Sequence, residues 1–393
     1  MSNLFDFVDT FSDHVQVVDI SRRATFERKT AMESHSPEKP YNNLPKLPPR
    51  NDVETTRVLR KLSIASRALA ELKGIAQTIP NQSILINSLT LQEAKASSEI
   101  ENIVTTNDAL YKAFSVSSSQ IDPHTKEVLR YREAMAHGLR LMQKRGLLTT
   151  NIFEEVVKKI TLNEEGIRRV PGTTVRNART GDPVYTPPEG ERLIRDLLAN
   201  LETYIHSEHS TDPLLKLAVI HYQFEAIHPF GDGNGRVGRI LNSLYLVHQG
   251  LLEQPILYLS RYIIDNRPTY YTLLRGVTES SAWEDWILYM LEAIEQTAVV
   301  TRNRIQAIRE LLEELTSEAN AKLPGRVYSK ELMELLFQQP YTKTQFLVDA
   351  GIAERKTATQ YLRELEKAGI LRSEKVGKEV LFLNHRLMEL LSQ

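Results

Sequence analysis

The chain has 393 residues, 41% of them hydrophobic, and a formal net charge of −1. That length and apolar content can furnish cores for two to three domains, while a near-neutral balance excludes bulk electrostatic attraction to nucleic acid or membranes. The absence of cysteine excludes disulfides, thiolate catalysis and cysteine-based zinc sites, and suits a reducing cytoplasm.

No apolar run approaches the length of about 18 residues that a membrane span needs. The opening MSNLFDFVDTFSDHV is acidic and mixed, unlike a signal peptide, so a soluble cytoplasmic protein is expected. Residues 1–40 are irregular, and SHSPEKPYNNLPKLPPR carries five of the chain's 17 prolines, the composition of an extended connector or strap. From Val53 to Ile79, Leu59, Leu62, Ala65, Leu69, Leu72 and Ile75 recur at helical spacing and form a stripe that asks for a partner. A second helix is predicted to begin at Thr90, where Glu93 would complete a capping box, and to run through LQEAKASSEIENI. Ser97 and Glu101 share one face of it, and Asn102 is a helix-ending residue.

Helices are expected over Asp108 to Phe114 and His124 to Lys144, the latter stopped by Gly146. Residues 166–193 then break the helical period. Val175 to Asn177 and Pro183 to Tyr185 flank Thr180-Gly181-Asp182, which predicts a β-hairpin. His206 and His209 are too close for two zinc ligands on one helix face and lack partners nearby, so they are assigned to a solvated loop.

Two amphipathic runs, LLKLAVIHYQFEAI and ILNSLYLVHQG, enclose the stretch HPFGDGNGRVGR, His228 to Arg239. The first helix has Asp212 as N-cap and Pro213 in its first turn, and it must end near Ile227 because Pro229 disfavours helix before it. The second begins inside the stretch, points Ile240, Leu241, Leu244 and Val247 at a core, and stops at Gly250. Gly231, Gly233 and Gly235 therefore lie at a helix N-terminus, whose unpaired N–H groups and positive dipole end attract a phosphate. Arg236 and Arg239 share one side of the first turn with forks suited to phosphate oxygens, and Asp232 is a hard oxygen ligand of the kind that holds magnesium. His228 stands where an imidazole can take a proton from a hydroxyl, while Phe230 reads as a core anchor. Cradle, metal ligand and base point to phosphoryl or nucleotidyl transfer. A dinucleotide-binding reading of Gly233, Gly235 and Gly238 fails because a helix rather than a strand precedes them, and no Walker sequence is present. A plain glycine-rich turn would explain neither His228 nor Asp232.

HPFGDGNGRVGR resembles the signature HPFx(D/E)GNGRxxR of the Fic (filamentation induced by cAMP) family at every fixed position. The resemblance implies a mainly α-helical Fic core with a small β-hairpin flap, and transfer of AMP from ATP to a serine, threonine or tyrosine hydroxyl of a protein. On that reading His228 deprotonates the hydroxyl, Asp232 holds Mg2+, and the backbone of Gly231 to Gly235 with Asn234 binds the phosphates, which Arg236 and Arg239 clamp. YNNLPKLPP resembles the start of the N-terminal region of a bacterial Fic group, and the hairpin would add the target as an extra strand. SSEIEN resembles the family's inhibitory pattern (S/T)xxxE(G/N), which makes Ser97, Glu101 and Asn102 inhibitory and pairs Glu101 with Arg239. In RPTYYTLLRG, Tyr270 and Tyr271 stand where the family covers adenine and ribose.

Beyond the signature, Trp283 and Trp286 are expected to pack inward, and Glu292 to Lys322 is a long amphipathic stretch read as a linker helix. SKELMELLF, TKTQFLVDAG and ERKTATQYLRELEKAG then predict three helices, followed by two strands turning at Gly377. Three helices and a wing resemble a winged helix, with Glu354 to Lys367 as its recognition helix and Arg355, Lys356, Arg363 and Lys375 on the nucleic-acid side. Residues 322–393 hold 12 basic and 9 acidic side chains, so DNA is not favoured over a protein-docking or dimer role. The expected organisation is an N-terminal helical region over 1–125, with the inhibitory helix at about 90–102, a Fic core over 126–300, a linker over 301–322 and a winged helix over 323–393. The expected partners are ATP and a protein substrate, with a homodimer compatible and no membrane. Two rivals stay open at this point: another transfer reaction or AMP removal on the same fold, and a nucleotide-sensing DNA-binding regulator.

Overall fold

The computed structural model of the chain describes residues 36–115, 121–176, 180–208 and 211–392. The expected irregular N-terminal stretch, apart from its last five residues, lies outside them, as do Asn177 and His209. In chain order the elements are α1 (Thr56–Ala76), α2 (Gln82–Ile100), α3 (Asn107–Ser115), α4 (Pro123–Arg145), α5 (Thr150–Thr161), β1 (Val175–Arg176), β2 (Pro183–Tyr185), α6 (Glu191–His206), α7 (Pro213–Ile227), α8 (Asn234–His248), α9 (Leu259–Asp265), α10 (Arg267–Ser280) and α11 (Trp283–Lys322). The C-terminal part holds α12 (Lys330–Phe337), β3 (Tyr341–Thr342), α13 (Thr344–Asp349), α14 (Arg355–Lys367), β4 (Arg372–Val376), β5 (Glu379–Leu383) and α15 (His385–Ser392). The fold is thus mainly α, as expected. No described helix is long and apolar enough to cross a membrane.

The centre is α7. Thirteen of its residues are buried, on every side of the helix, so it reads as apolar all round and is wrapped by neighbours. Asp212 caps it by accepting from Leu214 N at 2.8 Å, and it ends one residue before Pro229, at His228 in a left-handed conformation. Packed against it, α8 is entered through its N-cap Gly233, whose φ of 80° is a left-handed value that glycine adopts without strain. Trp286 of α11 is fully buried and its indole N–H donates to the Ala218 carbonyl of α7 at 2.8 Å. Residues 36–53 form a strap: Tyr41 N donates to Thr186 O at 3.0 Å, Gln223 Nε2 to Pro45 O at 2.9 Å, and Leu44 and Leu47 are buried.

Three expectations need correction. The second helix begins at Gln82, not Thr90, because Asn81 supplies the cap by accepting from Ser83 N at 3.0 Å. Thr90 is interior to α2 and bonds back to the Ile86 carbonyl, and Glu93 is buried among other helices instead of closing a capping box. The expected linker is no separate element, since one 40-residue helix, α11, runs through residue 300, packs along α1 and buries Ile294, Ile305, Ile308 and Leu315. The C-terminal part has the three helices and the hairpin, with β3 and α15 in addition. Its sheet order is β3-β5-β4, antiparallel throughout.

Candidate functional site

The α7–α8 connection closes on itself through Asn234. Its side chain accepts from Phe230 N and donates to Phe230 O, both at 2.8 Å, so the amide expected among the phosphate ligands is spent on bracing the loop. The backbone N–H groups of the first α8 turn remain, at the positive end of a 15-residue helix. Phe230 is 1% exposed and packs on Phe224, a core anchor as expected. Asp232 accepts from Gly233 N at 2.6 Å, and its side chain is 75% exposed at the mouth of the cradle.

The two arginines are held from different sides. Arg236 pairs with Glu127 of α4 and lies 3.3 Å from Asp232 Oδ2. Arg239 is held by α2: its Nε donates to Ser97 Oγ at 2.8 Å, and its Nη2 to Ser97 O at 3.0 Å and to Glu101 Oε1 at 2.8 Å. A Cβ placed on Gly235 would come within 2.6 Å of Glu101 Oε1, so this carboxylate lies against the backbone of the cradle itself. Burial would raise the Glu101 carboxyl, but Arg239 outweighs it and holds the group below its usual range. The helix ends there because Glu101 is the C-cap and Asn102 takes φ 62°. What keeps α2 in place is Glu93, which accepts from Tyr131 Oη of α4 at 3.1 Å and bonds Ser260 of α9. Burial pushes Glu93 up to about 7.

His228 follows α7 at φ 49°, ψ 58°, with its N–H donating to Phe224 O at 3.0 Å. Burial, and after it the Arg168 guanidinium, push the imidazole down to about 4, so the ring is neutral at pH 7. The last α7 carbonyls are satisfied from the flap side: Tyr185 Oη of β2 donates to Ala226 O at 2.7 Å, and Arg168 Nη2 to Ile227 O at 3.3 Å. β1 and β2 pair antiparallel across Val175 and Tyr185, the hairpin expected from residues 175–185.

The two tyrosines separate, because adjacent helical residues point about 100° apart. Tyr270 is 2% exposed, its hydroxyl bonds His221 Nε2 at 2.9 Å, and it packs against Trp286, so it is core and not a cover for a base. Tyr271 is 45% exposed, has Arg267 over its ring at 5.8 Å, and lies within electrostatic reach of Glu101 and Arg239. Sequence reasoning missed Glu127, Arg168 and Glu225. Each stands in a stretch whose pattern signals nothing beyond a helix or loop; Glu127 and Arg168 are brought to the site by the packing of other elements, while Glu225 lies in the last turn of α7. Glu225 Oε1 is enclosed without a hydrogen-bond partner among the described residues, and burial pushes this carboxyl to about 7.

Residues 59–140 match the Fic/DOC family N-terminal region, residues 148–246 the Fic/DOC family, and residues 311–387 the C-terminal domain of SoFic-like protein adenylyltransferases. A probable protein adenylyltransferase of Aquifex aeolicus is 29% identical over 202 residues, covering 50% of this chain and 57% of that protein. The protein adenylyltransferase Fic of Culex quinquefasciatus is 25% identical over 199 residues, covering 50% of this chain and 37% of that protein. The chain thus spans little more than half of one relative and less of the other. Among solved structures, a Fic family protein from Desulfovibrio desulfuricans G20 shares the fold, with TM-score 0.53 at 19% identity over 86% of this chain and 98% of that one.

Proposed function

Because the chain belongs to the Fic/DOC family, we propose that it is a protein adenylyltransferase that moves AMP from ATP to a serine, threonine or tyrosine hydroxyl of a target protein and of itself, restrained by Glu101. The observation that carries this reading is the arrangement around Arg239. A glycine cradle at a helix N-terminus is a phosphate site, and here a carboxylate lies against that cradle and engages the second arginine at 2.8 Å. The carboxylate stands where a terminal phosphate would go.

In the reaction, neutral His228 takes the proton of the target hydroxyl as its oxygen bonds the α-phosphorus, and the bond from that phosphorus to the bridging oxygen breaks to release pyrophosphate. The α8 N–H groups and Arg236 hold the phosphates, Tyr271 borders the base, and the β1–β2 flap lines up the target by strand addition. Magnesium fits the donor set, since it is bound through one or two carboxylates plus substrate phosphates and Asp232 presents a mostly exposed carboxylate at the cradle mouth. When bound it would neutralise phosphate charge. Glu101 restrains transfer by holding Arg239 and repelling the terminal phosphate, so that ATP cannot settle in line.

Incubation of the Glu101→Gly protein with ATP and magnesium, followed by intact-mass measurement, tests the reading. Addition of one or more AMP moieties is expected. ATP binding with no AMP transferred, to the protein or to any lysate protein, would instead mark a nucleotide sensor.

A further inference from the structure

Around the end of α7 sits a buried guanidinium that the transfer chemistry does not itself use. Arg168 is 7% exposed. The hydrogen bonds of its side chain all go to backbone carbonyls: Nε to His228 O at 2.8 Å, and Nη2 to Ile227 O at 3.3 Å and to Pro188 O. Its own N–H donates to Pro229 O at 2.9 Å, and Ile167 next to it bridges antiparallel to Phe230. No carboxylate among the described residues pairs with it directly, and burial lowers the pKa of this arginine against the opposing pull of Glu189. What compensates is the location, since the last carbonyls of a helix lack intrahelical donors and carry the negative end of its dipole.

Two features give the location meaning. His228 is one of four non-glycine residues at positive φ among the described residues, a conformation that persists only where the surroundings over-determine it. Arg168 donates to the carbonyl of that very residue and to the carbonyl before it. Pro188 follows β2, so the same fork also reaches the downstream edge of the flap, where Tyr185 makes a second stitch to α7 at Ala226.

We propose that Arg168 is a positioning residue for the transfer reaction: its fork holds His228 in the left-handed conformation and ties that conformation to the flap, so that base and docking edge stay in register. This rests on His228 acting as the base. The charge has a second effect on the ring, because a cation beside an imidazole disfavours imidazolium. The other groups acting on the ring, the Glu225 backbone by a hydrogen bond and Glu101 and Asp232 by charge, work in the opposite direction.

The test compares Arg168→Lys, which keeps the charge and loses the fork, with Arg168→Gln, which loses both, in the full chain. The His228 titration is followed by NMR of histidine-labelled protein, assigned with His228→Asn. Hydrogen exchange is read at residues 183–189 and 228–230, and kcat and KM for ATP are measured in the Glu101→Gly background. Arg168→Gln is expected to raise the His228 midpoint by roughly one pH unit, an ordinary size for a charge effect in a protein. Arg168→Lys should leave the midpoint low. Both should speed exchange at the flap and the α7 end, and both should lower kcat about tenfold or more with KM for ATP little changed. Unchanged exchange in both segments would overturn the proposal, as would a rise in KM that accounts for the whole loss. Should Arg168→Gln not fold, Arg168→Lys decides through exchange and kcat. A Glu101→Gly protein that transfers no AMP would sink the enzyme reading alone, while exchange and titration would still decide what Arg168 does.

Discussion

His228 illustrates how burial sets the protonation state of an ordinary side chain. Pushed down to about 4 by burial and by Arg168, it is uncharged at pH 7 and has a lone pair for a proton. His228→Ala should therefore abolish AMP transfer while ATP binding, read by calorimetry, stays within a few-fold, because in the proposed reaction the imidazole moves a proton and holds no phosphate. The sign of the pH dependence follows: transfer should rise as pH climbs through about 4, where the ring becomes neutral, and level off above it. Asp232→Asn should shift the magnesium needed for half-maximal transfer upward by tenfold or more, on the order expected when a charged ligand is lost; an unchanged requirement would remove Asp232 from the metal. Gly238 shows a constraint of another kind. A Cβ there would lie 2.3 Å from Glu225 Oε1 and 3.2 Å from Phe224, with Glu225 wedged between α7 and α8. Gly238→Ala should cost about 1–3 kcal/mol, the usual penalty of overpacking, seen as a lower melting temperature.

Among the elements, α2 carries the contacts that hold Arg239. It is pinned at its middle by Glu93, through Tyr131 and Ser260, and it delivers Ser97 and Glu101 to Arg239 one and two turns later. Glu101→Gly should raise AMP transfer at least tenfold, the change produced by about 1.4 kcal/mol in the barrier. Because the gain depends on freeing Arg239, it should nearly vanish in the double variant with Arg239→Ala. Additive effects in that double-mutant cycle would make α2 a scaffold and no brake. The pair is also acid-sensitive. Arg239 holds Glu101 below its usual range, so the stabilisation is fully present above the unfolded carboxylate value of about 4.3 and is lost as pH falls through the folded one.

At the scale of the whole molecule, the C-terminal part is built onto the same helices that form the site. The 40-residue α11 runs from the core into it, Gln92 of α2 donates to Leu391 O at 3.1 Å, and Tyr341 Oη of β3 donates to Asp108 of α3 at 2.6 Å. Lys112 of α3 pairs with Glu374 of β4 at 2.8 Å. With α11 continuous and these bonds crossing from β3, β4 and α15 to α2 and α3, residues 36–392 should melt as one cooperative unit. Differential scanning calorimetry checks this: one transition is expected, and two well-separated ones would show that the C-terminal part unfolds by itself.

The local elements of the site were legible in the chain. Asp212-Pro213 set where α7 starts, and Pro229 and the glycines of HPFGDGNGR where α7 stops and α8 starts, because caps, prolines and glycines act on their own few residues of backbone. Ser97 and Glu101 could be put on one helical face for the same reason, since a spacing of four needs only a helix. The start of α2 was not, because Thr90 and Glu93 carry the pattern of a cap and only the surrounding α4 and α9 make them interior. Nor could sequence separate Tyr270 from Tyr271, choose the fork of Asn234, or bring Glu127 to Arg236 and Arg168 to His228 across 109 and 60 residues. Such pairs are decided by which faces of distant helices meet, a property of the packed molecule that no local stretch of chain contains.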